Sequence, residues 1–327
     1  MAGVTLGRVV TALVLVAAAG LLLPAPLHAW TPGTHVYLGQ AILDNLALLP
    51  PAIAALLRSH PIEYLYGSIA PDTSFAKDYA PLHRHSHHWH LGQEVHDRAE
   101  EERLRAFGLG YLSHLAADTV AHNFYVPRQL AATALIKGLG HAYWEARFES
   151  HLGDRWAREA RDLLRHDHVD ADAHLDRIIA PTLFSIPTNR RLFRGMVHLA
   201  DRQSYRRAFT FARQRSRHDI DDGDVERHMG VSFEQVMRLL AAMDDGPRRL
   251  DPTGAEALRL AKGMRRQALR EGGRSIPKLI WDAAESHFGL PRIELGFWRR
   301  ATRKPWVQAP IRAPWDLLDG GGSRSTA

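Results

Sequence analysis

The stretch whose reading decides the fold runs from Phe107 to Pro127, FGLGYLSHLAADTVAHNFYVP, and resumes at Gly138 with GLGHAYWE, ending at Glu145. His114, Asp118 and His122 follow one another at four-residue spacing. In a helix that spacing puts all three side chains on one face, spread over ~12 Å of axis. The rest of the segment is mostly Leu, Ala, Val, Phe and Tyr, so the helix is expected to be buried. A second four-residue pair, His141 and Glu145, belongs to the next predicted helix. Buried ionisable groups are costly unless paired or bound to metal. Five such groups on two apolar helices therefore point to a metal cluster, with zinc as its leading occupant.

Composition narrows the chemistry. The chain has 327 residues, 20 histidines and no cysteine. Thiolate zinc sites and disulfides are thereby excluded, and any metal must be held by His, Asp, Glu and backbone or terminal groups. Thirteen of the histidines lie between residues 28 and 151. At the start, Arg8 precedes an apolar run from Val9 to Leu23, followed by Pro24, Pro26 and the small Ala29. That run is shorter than the ~20 residues a bilayer requires. It reads as a signal peptide over residues 1–29, cut after Ala29, with a retained anchor as the alternative. The expected destination is therefore secreted or periplasmic. The net charge of +6 is uneven: between Arg248 and Arg312 there are fifteen Lys or Arg and six Asp or Glu.

No strand pattern persists along the chain, and helical spacing recurs almost everywhere, so the expected class is all-α. Thr34 is the expected N-cap of a helix to about Leu49, and a shorter helix ends at Ser59 ahead of Pro61. Residues 64–90, with Gly67, Pro71 and Pro81, read as a long connection. Pro127 is expected to terminate the buried helix. The helix from His141 is expected to continue through Phe148, Leu152 and Trp156 to Leu163. Amphipathic helices follow at roughly 170–180, 188–216, 231–244, 253–270, 276–287 and 293–303, and Asp221 to Asp224 reads as a loop. The resulting division is a catalytic core over 30–165, a helical continuation with a basic end over 166–315, and a Gly/Ser-rich flexible tail over 316–327.

Taken in order, six motifs carry a family resemblance. They are WTPGTH from Trp30 to His35, APD ending at Asp72, HHW from His87 to Trp89, HLAAD from His114 to Asp118, then His122, then GHAYWE from Gly140 to Glu145. In this order they resemble the bacterial zinc-dependent phospholipase C enzymes, which share much of their ligand set with single-strand-specific zinc nucleases. The resemblance covers roughly residues 30–160. It implies an all-helical fold and three zinc ions. Asp72, His87, His114 and Asp118 would hold one ion, and His122, His141 and Glu145 a second. The third would be held by His35, by Asp118 as a bridge, and by the amine and carbonyl of Trp30 once the chain is cut ahead of it. Asp72 would also orient or deprotonate the attacking water. Two departures stand out. In characterised members the step from the bridging Asp to the next His is longer and contains Pro, whereas here it is four residues. The run HRHSHHWH offers five histidines where one is required; His87 fits the pattern best and His85 is next.

Other readings attach to the same residues. His114, Asp118 and His122 alone would suit plain side-chain pairing along a helix. His83, His88, His90 and His96 read as surface groups or supports for ligands, and His151, His166, His168 and His174 as solvated. Trp144 and Trp156 read as core. The basic C-terminal segment is either a solvated helix face or, with Trp281, Trp298, Trp306 and Trp315, a surface for anionic lipid, in transient membrane contact, or for nucleic acid. The function implied is cleavage of a phospholipid phosphodiester to diacylglycerol and a phosphorylated head group. The alternatives are a zinc nuclease acting on nucleic acid, or a non-catalytic zinc-binding module.

Overall fold

The computed structural model describes residues 30–74, 84, 86–133, 140–200, 202, 220–243, 245–270 and 277–302. Among these residues there is no strand, and the fold is all-α. The expected signal peptide, His83, His85, Trp306, Trp315 and the tail lie outside the described residues.

The chain is built around one helix, α5 (Glu102–Val120), in which every residue from Ala106 onward is buried. It continues without a break through a π-helical turn, Ala121–Tyr125, into α6 (Val126–Ala132). Pro127 therefore does not end the helix as expected. It sits at the second position of α6, where a missing N–H is tolerated. The preceding π turn also shifts the register of the hydrogen bonds.

Four helices precede this axis: α1 (Pro32–Leu43), α2 (Pro51–Ser59), α3 (Pro61–Gly67) and α4 (Trp89–Asp97). The cap of α1 is Thr31, whose hydroxyl accepts the Thr34 N–H at 3.3 Å, three residues earlier than expected. Pro61 starts a helix instead of only ending one, and a 3-10 turn, Ala70–Thr73, follows, so much of the supposed long connection is ordered. The α3 and α5 backbones touch where Gly67 meets Gly110. A Cβ on Gly110 would lie 2.0 Å from the Tyr64 carbonyl oxygen, and one on Gly67 would lie 2.1 Å from that of Phe107.

Beyond the π turn come α7 (His141–Leu152), α8 (Arg155–Leu163), α9 (Val169–Asp176) and α10 (Ile186–Ala200). The expected continuous helix from His141 to Leu163 is two helices, because Gly153 at φ +99° breaks the backbone between them. The next helix, α11 (Asp222–Ala242), packs on both α1 and α5. Its N-cap is Asp221, which accepts the Asp224 N–H at 2.8 Å, so the acidic run is a helix start and not a loop. Finally α12 (Asp245–Arg248), α13 (Ala255–Arg270), α14 (Pro277–Phe288) and α15 (Gly296–Arg300) close the structure, with α13 and α14 packed on α6.

One hydrophobic core joins residues from Trp30 to Ala301. Trp144 and Trp156 belong to it. So does Trp298, which lies edge-on to Phe233 at 5.8 Å and is therefore not part of a surface. His168 and His174 are buried, not solvated. Their Nε2 atoms donate to the carbonyls of Leu163 at 2.8 Å and Val95 at 2.7 Å, and His168 stacks on Tyr66 at 3.7 Å. No helix among the described residues is long and apolar enough to cross a membrane.

Candidate metal centre

The centre lies along the buried face of α5 and the π turn. His114 and Asp118 sit one helical turn apart, with His114 Nε2 at 3.1 Å from Asp118 Oδ2. His35 on α1 brings its Nε2 to 3.2 Å from the other oxygen, Oδ1. His87, just ahead of α4, points Nε2 at Asp118 Oδ2 at 3.2 Å and at Asp72 Oδ1 at 3.3 Å. Asp72 lies in the 3-10 turn, and its Oδ1 is 3.9 Å from His114 Nε2. All five side chains are essentially inaccessible.

His122 lies within the π turn, one turn past Asp118, with its ring edge-on to that of His141 at 5.3 Å. His141 and Glu145, on α7, are 2.7 Å apart. Donor atoms of His122, His141 and Glu145 lie within 4.8 Å of one another. The same holds for His35, His114 and Asp118, and for Asp72, His87 and His114. Eight of the nine residues singled out in the sequence thus contribute side chains to one continuous buried cluster. Trp30 differs, because its ring is an anchor: indole Nε1 donates to the Ala117 carbonyl at 3.2 Å, and the ring stacks on Tyr125 and lies tilted against Phe148. That holds residue 30 beside the residue preceding Asp118.

Hydrogen bonds at the back of the rings set the tautomers. His114 Nδ1 donates to the Ser68 carbonyl at 2.9 Å, and His122 Nδ1 to the Pro252 carbonyl at 2.5 Å. The Ser86 hydroxyl donates to Pro71 O at 2.9 Å, so its oxygen accepts from His87 Nδ1 at 3.2 Å. In the neutral form each ring therefore presents a bare Nε2 lone pair to the cluster. Yet His87 Nε2 and His114 Nε2 face each other at 3.1 Å, and carboxylate oxygens surround both. Acceptors facing acceptors repel unless a cation lies among them.

The same conflict shows in the pairing. His35 Nε2, both oxygens of Asp118 and His122 Nε2 are buried without a hydrogen bond of good geometry. Four nitrogen or oxygen ligands at the usual zinc distances around a tetrahedral ion lie about 3.4 Å from one another. The separations of 3.1–3.3 Å around Asp118 and His87 fit that requirement. The donor set is all imidazole and carboxylate, which suits zinc.

Without metal, a proton takes the cation's place. Burial alone would keep His114 neutral, but Asp118 and Asp72 outweigh it and raise the imidazole above its usual range. Burial likewise opposes charge on Asp118, and His114, His35 and His87 together hold its carboxyl well below the usual range. His122 behaves oppositely. Burial is its largest influence, and it is pushed down to about 3, which leaves it a neutral ligand at every ordinary pH.

The sequence reading missed the backs of these rings. Ser68, Ser86 and Pro252 carry no metal-binding signature of their own. The one local signal nearby is the Pro252 and Gly254 of Asp251-Pro-Thr-Gly254, a composition that favours a turn. That turn is clamped on the π turn. Gly254, at φ +55°, leaves no room for a Cβ, which would lie 2.4 Å from the His122 carbonyl oxygen. Asn123 Nδ2 donates to Asp251 O at 2.8 Å.

A buried helical cluster of histidines and carboxylates with an imidazole-carboxylate donor set defines a zinc-type metalloprotein. Residues 34–184 match the family described as zinc dependent phospholipase C. No curated protein and no solved structure matched the chain.

Proposed function

We propose that this protein is a zinc-dependent hydrolase that cleaves the phosphodiester of a phospholipid, releasing diacylglycerol and a phosphorylated head group. The observation that carries the reading is the convergence of three donor triads along α5 and the π turn, within a region of phospholipase C type. Asp72, His87, His114 and Asp118 hold one ion in this reading, and His122, His141 and Glu145 a second. Asp118 and His35 hold a third together with the Trp30 amine and carbonyl, exposed by cleavage after Ala29 during export. The anchoring of the Trp30 ring at Ala117 O supports that last assignment, since it keeps the new terminus beside Asp118.

Zinc bound here would polarise the phosphoryl oxygens and lower the pKa of a coordinated water towards ~7. The protein's own part is positional. The Ser68, Ser86 and Pro252 oxygens hold His114, His87 and His122 with Nε2 inward. Asp72 orients the attacking water and accepts its proton, its Oδ1 being already placed among the donor atoms. The buried setting strengthens each of these charge interactions.

The test combines metal analysis of the processed protein with turnover assays on a phospholipid and on single-stranded DNA. Zinc in more than one equivalent with phosphodiester cleavage of the lipid is expected. Asp72→Asn should lower kcat by about 10²–10⁴-fold. Cleavage of DNA alone would replace the lipase reading with that of a nuclease, and zinc binding without hydrolysis of either would leave a non-catalytic module.

A further inference from the structure

A cleft of about 720 Å³ opens on the metal centre, and its two walls differ in origin. One wall carries the ligand residues His87 and His122. The other is a single face of α13, which lies beyond the part of the chain that matches the family. Arg259, Lys262 and Arg266 line it at helical spacing and are exposed, with Arg265 beside them, so positive charge runs over ~10 Å of helix. Glu256 is the only acid on α13.

Some cations elsewhere on the surface are paired, as with Lys278 and Asp282 at 2.9 Å or Arg155 and Glu159 at 2.7 Å. Among the described residues, Arg259, Lys262 and Arg266 have no carboxylate within ion-pair distance. Like charges at these spacings weaken a helix, so the arrangement is held against a local cost. The helix is also tied to the site and not free to swing. Its leading turn is bonded to His122 through Pro252 O and to Asn123 through Asp251 O, and Trp89 Nε1 donates to Leu250 O at 2.9 Å.

The geometry points to an anion subsite: Arg259, Lys262 and Arg266 bind a second negative group on the substrate head group, beyond the phosphodiester held at the metal centre. The preferred substrate class is then an anionic phospholipid with a phosphate monoester or carboxylate on its head group. This rests on the phospholipase reading above. A quaternary ammonium head group needs aromatic faces or carboxylates around it, and among the described residues the lining of this cleft offers cations and no Phe, Tyr or Trp. The same lack of flat aromatic surfaces argues against a nucleic-acid strand, which binds through stacked bases.

The test uses zinc-loaded protein and short-chain phospholipids below their micellar concentration, so that attraction to a charged bilayer plays no part. Phosphatidylinositol 4-phosphate, phosphatidylserine and phosphatidylcholine are compared by kcat/KM. Both anionic lipids, or the phosphate-bearing one alone, are expected to exceed phosphatidylcholine by about tenfold or more, and which of the two leads identifies the second group. Arg259→Gln/Lys262→Gln/Arg266→Gln should lower the anionic-to-choline ratio by about 100-fold, and Lys262→Glu alone should shift it towards choline. A preference for choline, or a ratio unmoved by both variants, overturns the subsite. Should no lipid be cleaved, calorimetry with inositol 1,4-bisphosphate and choline phosphate decides instead. Tighter binding of the bisphosphate that the triple variant loses keeps the subsite while the phospholipase reading falls, and equal binding removes both. Hydrolysis of single-stranded DNA in preference to every lipid also overturns it.

Discussion

Asp118 touches more of the centre than any other residue, because its two oxygens face different histidines: His35 on one side, His87 and His114 on the other. Asp118→Asn keeps the shape but replaces one acceptor oxygen with an NH2 donor pointed at the same nitrogens. It should therefore lower zinc content by more than one ion per chain, measured by metal analysis, whereas loss of a single ion would refute a bridging role. Glu149 is a second residue with a readable consequence. Burial raises its carboxyl to about 7, although it accepts the N–H groups of Thr34 and Gly33 at the start of α1, and the Thr31 hydroxyl donates to it. A raised carboxylate pKa means the fold binds the proton more tightly than the unfolded chain. Its stabilising effect is complete below about 4.5 and is lost as pH rises through about 7. Glu149→Gln should accordingly gain stability relative to the native protein as pH is raised from 4.5 to 8, by a few degrees in melting temperature. A difference independent of pH would show that Glu149 ionises normally.

At the scale of elements, the contact of α3 with α5 is what brings Ser68 O against His114 Nδ1. It depends on Gly110, where an added methyl would meet the Tyr64 carbonyl oxygen at 2.0 Å and push two backbones apart. Gly110→Ala should cost at least about 3 kcal/mol, or roughly 10 °C in melting temperature, and should also weaken zinc loading. Normal zinc affinity in a protein so destabilised would mean that the crossing supports the fold without orienting the ligand. The π turn is the other element that matters. A four-residue step from Asp118 to His122 keeps both on one side of the axis, and the widened turn lets His122 reach α7 while its Nδ1 is held by Pro252. The helical identity of α5 and the ligand spacing were legible in the sequence. The π turn and the passage of Pro127 were not, since proline locally signals a stop and only tertiary packing on α13 and α14 sustains the helix beyond it.

Over the whole molecule, acid stability rests in part on buried neutral imidazoles outside the centre. Burial pushes both His168 and His228 down to about 4. For such a group the unfolded chain binds the proton more readily, so stability is complete above about 6.5 and is lost as pH falls towards 4, on the order of 3 kcal/mol per imidazole. Denaturant titrations of chelator-treated protein between pH 7 and 4 should show a fall that His168→Gln and His228→Gln each reduce, the centre's own His122 and Glu149 contributing equally to parent and variants. A flat profile would mean that these rings are charged in the fold. What the sequence determined by itself is the helical class and the order and spacing of the candidate ligand residues, because periodicity and four-residue spacing are local properties of a helix. Tertiary structure alone decided the tautomers, through carbonyls of residues 68 and 252 far away in sequence. It also decided that α13, whose basic residues read in sequence either as a solvated face or as a binding surface, forms the cationic wall of the cleft. A helix carries its own periodicity in its residues, but which neighbour its polar face meets depends on how distant segments pack.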